Sequence, residues 1–236
     1  MSRATQLAEI QNRITAACHK AGRPGSAVKL LAVSKTFPLS DILEFYSCGQ
    51  TAFGENYLQE ALDKITQLAD HPNAQTMNAN LEWHFIGPIQ SNKTKAISEH
   101  FDWVHTVATE AIADRLNKAR PEALPPLNIC IQVNLDNEDT KSGVNVADVL
   151  SLATHILTLP NLKLRGLMTI PRPETKIPQQ IASFQRLTML FTDINLFLKN
   201  PMDTLSMGMS TDFKAAIQAG STLVRVGTAI FGSRTT

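Results

Sequence analysis

The sequence predicts a single (β/α)8 barrel of the TIM type, an α/β fold, with an additional N-terminal helix. Three observations predict it. The chain has 236 residues, a length that such barrels routinely use as one domain. From Lys29 onward, strand-like apolar runs alternate with amphipathic helical stretches eight times. Each alternation takes roughly 26 residues, which suits βα units pairing in parallel around a closed barrel. An open doubly wound sheet would show the same alternation. No GxGxxG stands at the first strand–helix turn, which weakens the dinucleotide-binding form of that alternative. No Pro/Gly/Ser linker divides the chain, so residues 1–236 read as one domain, with 1–22 as a helix packing on the barrel.

The elements come in this order. Ser2 to Lys20 reads as a helix, with Leu7, Ile10 and Ile14 on one face and Gly22 and Pro24 ending it. Strand one is Lys29–Ser34, followed by Lys35. Ser40–Asp41 then caps a helix with Ile42, Leu43, Phe45 and Tyr46 on its core face, stopped by Gly49. Strand two, Thr51–Gly54, feeds a helix carrying Leu58, Ala61, Leu62, Ile65 and Leu68. Residues His71–Asn80 are polar and read as a surface loop. Strand three is Glu82–Ile86, and Ser91 caps the next helix. Strand four, Asp102–Val107, precedes a helix over Thr109–Ala119. Strand five, Asn128–Asn134, precedes a polar loop, Leu135–Gly143, and a helix with Val149, Leu150, Leu152, Ile156 and Leu157. Strand six is Leu164–Thr169, followed by the loop Pro171–Pro178 and a long helix over Gln179–Lys199. Strand seven, Asp203–Met207, precedes a helix near Asp212–Ala219. Strand eight is Thr222–Val226, and Gly227–Thr228 opens a last short helix.

Composition narrows the function. Hydrophobic residues make up 43% and charged residues 18%, which is ordinary for a globular protein. A net charge of +1 leaves no electrostatic footprint for nucleic acid or an anionic membrane. No apolar run approaches the ~18–20 residues of a membrane span, and the N-terminal helix lacks the continuous apolar core of a signal peptide. Cys18, Cys48 and Cys130 form no CxxC pair, which argues against a disulfide framework or zinc site. The expectation is a cytoplasmic protein. No apolar stripe in the sequence demands a dimer, so a monomer is expected.

Barrel enzymes work at the C-terminal ends of their strands. Here those ends carry Ser34–Lys35, Glu55–Asn56, His84, His105, Asn134, Met168–Thr169, Ser206 and Arg225. Lys35, backed by Leu30, Leu31 and Val33, would be partly desolvated, which lowers an amine's pKa and favours Schiff-base chemistry. Equally, a lysine can simply end a strand and solvate it. The stretches Ser206-Met-Gly-Met-Ser210 and Arg225-Val-Gly-Thr228 come after strands seven and eight, where barrels often build a phosphate site. Ser, Thr and Gly also make ordinary caps and turns there. A reactive lysine opposite a phosphate cup describes a pyridoxal 5′-phosphate pocket, with Arg225 donating to the ring nitrogen or, alternatively, engaged in a salt bridge. His84 and His105 read as satisfied barrel histidines, without a third ligand for a metal. Met168, Met207 and Met209 read as core fillers, and Asp136–Ser142 as a lid or a plain loop.

Several motifs resemble one family. Leu30-Leu-Ala-Val-Ser-Lys-Thr36, Phe53-Gly-Glu-Asn-Tyr57 and Trp83-His-Phe-Ile-Gly-Pro-Ile-Gln-Ser-Asn-Lys93 are similar to the YggS/PROSC family of pyridoxal phosphate homeostasis proteins. So are Lys141-Ser-Gly143, Arg165-Gly-Leu-Met168, Leu205-Ser-Met-Gly-Met-Ser210 and Gly220-Ser-Thr-Leu-Val-Arg-Val-Gly-Thr228. The resemblance implies a barrel like the N-terminal domain of alanine racemase. It implies pyridoxal 5′-phosphate held as a Schiff base on Lys35, with its phosphate at Ser206, Ser210, Gly227 and Thr228. It places Arg225 at the pyridine nitrogen and Asn56 in the pocket. It further implies a role in vitamin B6 homeostasis rather than catalysis, with apo-enzymes as candidate recipients.

The alternative is a pyridoxal phosphate-dependent racemase. Two-base racemisation needs an acid/base on each face of the α-carbon. The chain has two tyrosines, Tyr46 and Tyr57. Tyr46 reads as a core residue, and Tyr57 is the one placed to approach the barrel mouth. A phosphate-binding barrel isomerase without the cofactor is a third, more distant reading.

Overall fold

In the computed structural model, which describes residues 2–136 and 142–232, eight parallel strands close into a barrel. They are β1 (Lys29–Val33), β2 (Ala52–Glu55), β3 (Glu82–Phe85), β4 (Trp103–Val107), β5 (Leu127–Asn134), β6 (Leu162–Met168), β7 (Thr204–Ser206) and β8 (Leu223–Val226). Each pairs with its successor, and β8 returns to β1 with Lys29 opposite Leu223 and Leu31 opposite Arg225. The open sheet is thereby excluded. Register irregularities interrupt the β4–β5 and β5–β6 pairings. A two-residue strand, Val144–Asn145, lies outside the barrel against Val133 and Asn134.

Helix α1 (Arg3–Lys20) starts at Ser2, whose hydroxyl accepts from the Thr5 N–H. It buries Leu7, Ile10, Ile14 and Cys18 along one stripe and packs on the helices that come after β7 and β8. Arg3 ties it to α2 (Leu39–Ser47) through ion pairs with Asp41 and Glu44.

Two expected helix features differ. Pro38, not Ser40–Asp41, precedes α2: its ring sets φ at −70° and Leu39 is buried as the first helical residue, leaving Asp41 to pair with Arg3. The expected loop His71–Asn80 contains α4 (Ala74–Asn80), where Met77 packs against the core. Polar composition masked that single apolar anchor.

Helix α3 (Leu58–Ala69) runs between these two, and α5 (Thr94–His100) and α6 (Glu110–Ala119) come next; Thr109 caps α6 through its hydroxyl. Ser91 opens a 3-10 turn, Ser91–Lys93, ahead of α5. Helix α7 (Val149–Leu157) agrees with expectation. Helix α8 (Ile177–Asn195) starts earlier than expected because Pro178 is tolerated in a first turn, and it ends earlier because the Asn195 amide bonds both backbone groups of Met202. Along α8 and the turn after it, Ile177, Met189, Leu196 and Phe197 are exposed, an apolar surface that sequence patterning did not reveal. Helices α9 (Phe213–Gln218) and α10 (Thr228–Phe231) come after β7 and β8. The expected lid, Asp136–Ser142, and Lys141 of its motif fall largely outside the described residues.

The main apolar core lies between sheet and helices. Inside the barrel, apolar residues are few: Leu31, Ala52 and Leu223 form one cluster, and Trp103, Cys130 and Met168 another. The rest of the interior is polar, with His84, His105, Ser206 and Arg225 all buried. A barrel usually fills these layers with branched aliphatics. Buried polar groups cost free energy unless they are bonded, so their presence marks a site.

Candidate cofactor site

A cavity of about 320 Å³ opens at the C-terminal ends of the strands, within the ~300–1,000 Å³ range of small-molecule sites. Its wall includes Lys35, Asn56, Ser210, Arg225, Gly227 and Thr228. Six of the seven residues expected to hold the cofactor therefore meet in one place. The seventh, Ser206, is fully buried behind Arg225. A groove of similar size, lined by Arg13, Lys20 and Lys214, lies outside the barrel between α1, α8 and α9.

Lys35 stands two residues past the end of β1 and is half-buried. The next residue, Thr36, has φ 70°, a left-handed conformation that a β-branched side chain adopts only under constraint. The constraint is visible. The Thr36 N–H donates to Glu60 at 2.5 Å, and the carbonyl of Ser34 accepts from Lys64 at 3.0 Å. Lys64 also pairs with Glu55 at 2.7 Å and Glu60 at 2.6 Å, and the Ser34 hydroxyl donates to Glu55. Both neighbours of Lys35 are thus fastened to one buried ion cluster. Burial pushes the Glu55 carboxyl up, against the pull of Lys64.

Arg225 is buried on β8, the strand next to β1. Its Nη1 donates to the Ser206 carbonyl at 2.7 Å and the Ser206 hydroxyl at 2.8 Å, and its Nη2 to the Thr169 carbonyl at 3.1 Å. All three acceptors are neutral. Among the described residues no carboxylate reaches ion-pair distance of Arg225, so the salt-bridge alternative does not hold. Burial pulls the guanidinium down to about 10, and it remains a cation at neutral pH. A buried cation that faces a cavity and lacks an anion favours an anionic ligand there.

Asn56 adds a second orphan: its side-chain Oδ1 is buried without a partner. Ser210 and Thr228 bring hydroxyls, and the Ser210 hydroxyl also accepts from the Ala229 N–H at 3.4 Å. Gly208 shapes the loop between them. Its φ is +96°, and a Cβ there would meet the Ala216 Cβ at 2.6 Å, so only glycine fits. The apolar lining, Val33, Phe37, Ile86, Ile170 and Met209, suits a planar ring. Sequence reasoning missed these wall residues, because an apolar residue at a strand end reads as core. Met209 is partly exposed at the wall, whereas Met168 and Met207 are buried as expected. A phosphate, a ring nitrogen and an aldehyde fit this donor set.

His84 and His105 are indeed satisfied barrel histidines, bonded to each other at 2.9 Å. Among the described residues no group of three His, Cys, Asp or Glu could hold a metal, and no helix is long and apolar enough to cross a membrane. Tyr46 is half-buried against the core. Tyr57 is exposed and faces a separate depression with Pro88 and Lys93, not the cavity.

Comparison with known proteins gives a consistent result. Residues 5–235 match the family model for the N-terminal domain of alanine racemase. The pyridoxal phosphate homeostasis protein of Pasteurella multocida is 53% identical over 229 residues, 97% of this chain and 96% of that one. The Escherichia coli protein of the same name is 48% identical over 98% of this chain and 96% of its own. PipY from Synechococcus elongatus, solved with pyridoxal phosphate bound, superposes with a TM-score of 0.84 at 34% identity, covering 98% of this chain and 100% of that one. Alanine racemase from Corynebacterium glutamicum shares the fold, with a TM-score of 0.64 at 20% identity over 96% of this chain and 61% of its own.

Proposed function

The chain belongs to the alanine racemase N-terminal domain family and, within it, to the pyridoxal phosphate homeostasis proteins, and from that premise we propose that it binds and buffers pyridoxal 5′-phosphate without turning over a substrate. The observation that carries this reading is the convergence of Lys35, the buried Arg225 cation and the orphan Asn56 Oδ1 on one cavity. Lys35 would hold the aldehyde carbon. Ser210, Thr228 and the backbone at Gly227 would hold the phosphate; Ser206, buried and bonded to Arg225 and His105, would position Arg225 instead of touching the phosphate. Arg225 would donate to the pyridine nitrogen, and Asn56 would contact the ring. When bound, the cofactor supplies an electrophilic carbon and a ring that spreads charge. A guanidinium is a permanent donor and does not hand over its proton, so the ring nitrogen stays unprotonated and draws electrons weakly.

The cavity wall favours a carrier over a racemase. A racemase needs a second base facing Lys35 across the α-carbon. Neither tyrosine of this chain lines the cavity. We place the protein in the cytoplasm, as a monomer that gives up its cofactor to apo-enzymes; its three free cysteines suit a reducing compartment.

The test is the visible spectrum of the purified protein with added cofactor, before and after borohydride, with peptide mapping. A yellow band lost on reduction, with a pyridoxyl adduct on Lys35, is expected. A protein that stays colourless overturns the binding reading. Deuterium exchange at the α-carbon across a panel of amino acids, dependent on Lys35, would overturn the non-catalytic part.

A further inference from the structure

The polar interior of the barrel forms one continuous chain. Arg225 Nη1 reaches the Ser206 hydroxyl at 2.8 Å, which lies 2.8 Å from His105 Nδ1. His105 Nε2 lies 2.9 Å from His84 Nδ1, and His84 Nε2 lies 3.2 Å from Glu82 Oε2. The first residue stands at the cavity and the last at the start of β3, at the base of the barrel. Ser206, His105 and His84 are fully buried, while Glu82 is 40% exposed and pairs there with Lys29.

The direction of every hydrogen in this chain is set by its two ends. A carboxylate only accepts, so His84 carries its proton on Nε2. A neutral His84 then presents a bare Nδ1, and His105 must donate to it from Nε2. A neutral His105 presents a bare Nδ1 in turn, which accepts from the Ser206 O–H. That leaves the Ser206 oxygen as acceptor, and an arginine can only donate to it. Both ends impose the same polarity. Burial keeps both rings neutral, pulling His84 down to about 4 and His105 well below its ordinary value. The Trp103 ring stacks on His84 at 5.2 Å, with the Arg165 guanidinium on Trp103. The charged groups near the chain are Lys29, Glu82 and Asp102 at one end and Arg225 with Asp212 at the other, with Arg165 on Trp103 paired to Asp203.

We infer that Glu82 is a positioning residue for Arg225, acting across the whole barrel through two histidines locked in one tautomer and the Ser206 hydroxyl. The aligned dipoles turn a lone pair toward the guanidinium. The Ser206 hydroxyl takes one of the five guanidinium N–H donors, and the backbone carbonyls of Ser206 and Thr169 take two more. The rest are left for a ligand in the cavity. The value of this for a pyridine nitrogen rests on the cofactor reading above, but the chain itself does not.

The experiment is long-range proton–nitrogen NMR on histidine- and arginine-labelled protein without cofactor, in the wild type and in Glu82→Leu, Glu82→Gln and Lys29→Met. Wild-type His84 and His105 should both be neutral Nε2–H tautomers from pH 5.5 to 8. In Glu82→Leu the tautomer signals should change, and exchange of the Arg225 guanidinium protons should rise about fivefold, the scale of one lost hydrogen bond. Glu82→Gln, which keeps an acceptor, should restore both. Lys29→Met, which removes only the surface partner, should change neither. An Nδ1–H or protonated ring in the wild type, or unchanged Arg225 exchange in Glu82→Leu, overturns the inference. A spectrophotometric cofactor titration run in parallel separates the two readings. Wild-type protein that takes up no cofactor defeats the binding proposal and leaves the NMR result to decide the chain.

Discussion

Lys64 donates its ammonium to the carbonyl of Ser34, thirty residues earlier, at 3.0 Å. The contact matters because Ser34 precedes Lys35, and because the same ammonium pairs with both Glu55 and Glu60. Breaking a buried pair on one side leaves the other charge stranded, at a cost of roughly 3–5 kcal/mol. Lys64→Met should lower the unfolding free energy by about that much in urea titrations. Glu60→Ala, at a more exposed position, should cost about 1 kcal/mol and still weaken cofactor binding, because it removes the acceptor that holds the Thr36 N–H.

Lys35→Ala should separate binding from folding. The side chain is half-buried at a cavity mouth, so stability should stay within about 0.5 kcal/mol of the wild type. The band at visible wavelengths and the borohydride-trapped adduct should both vanish. A persisting adduct on another lysine would show that the cavity is not where the cofactor attaches.

Gly208→Ala places a methyl 2.6 Å from the Ala216 Cβ at a φ of +96°. The Gly208 carbonyl also accepts from the Arg225 N–H at 2.9 Å. Strain of this kind costs about 1–3 kcal/mol. Calorimetry should show a lowered Tm, and cofactor affinity should fall with it because the Ser210 loop and Arg225 move together.

Acid should unfold the protein in two successive windows. His84 holds its proton less tightly folded than unfolded, so stability is complete above about 6.5 and is lost as pH falls toward about 4. For a fully buried ring this amounts to roughly 3 kcal/mol. Glu82 is held down to about 2, first by the His84 hydrogen bond. Its contribution is present above 4.5 and is lost as pH falls through about 2. With His84 neutral above about 4, their contact is an N–H to carboxylate hydrogen bond rather than an ion pair. Urea midpoints between about pH 2 and 7.5 check this, and His84→Gln should reduce the slope of the upper window, which His105 shares. An unchanged slope in that variant would refute the assignment.

Much of this architecture is written in local patterns, and what is not has a physical reason. The eight strands were legible because each is a short apolar run bounded by turn residues. Six of the seven residues expected at the cofactor line the cavity because strand ends in a barrel converge. Ser206 lies off the cavity wall because strand alternation places it inside the barrel, behind Arg225. Lys64 was invisible because a lysine on an amphipathic helix reads as solvated. Its position between Ala61 and Leu68 on the buried face of α3 was the available signal. The histidine chain depends on residues from four strands, with bonded partners up to 101 positions apart, and no local pattern reports such pairs.

The register that sets Leu31 opposite Arg225 has a consequence for how the protein is made. The two strands that carry the cavity's cations are neighbours in space and lie near opposite ends of synthesis. A ribosome adding ~5–20 residues each second exposes Lys35 many seconds before Arg225. During that interval the growing chain has one wall of its pocket and an unpaired strand edge. Ligand capture is therefore a post-translational event, and any fragment cut short before residues 223–228 should be both colourless and prone to misassembly.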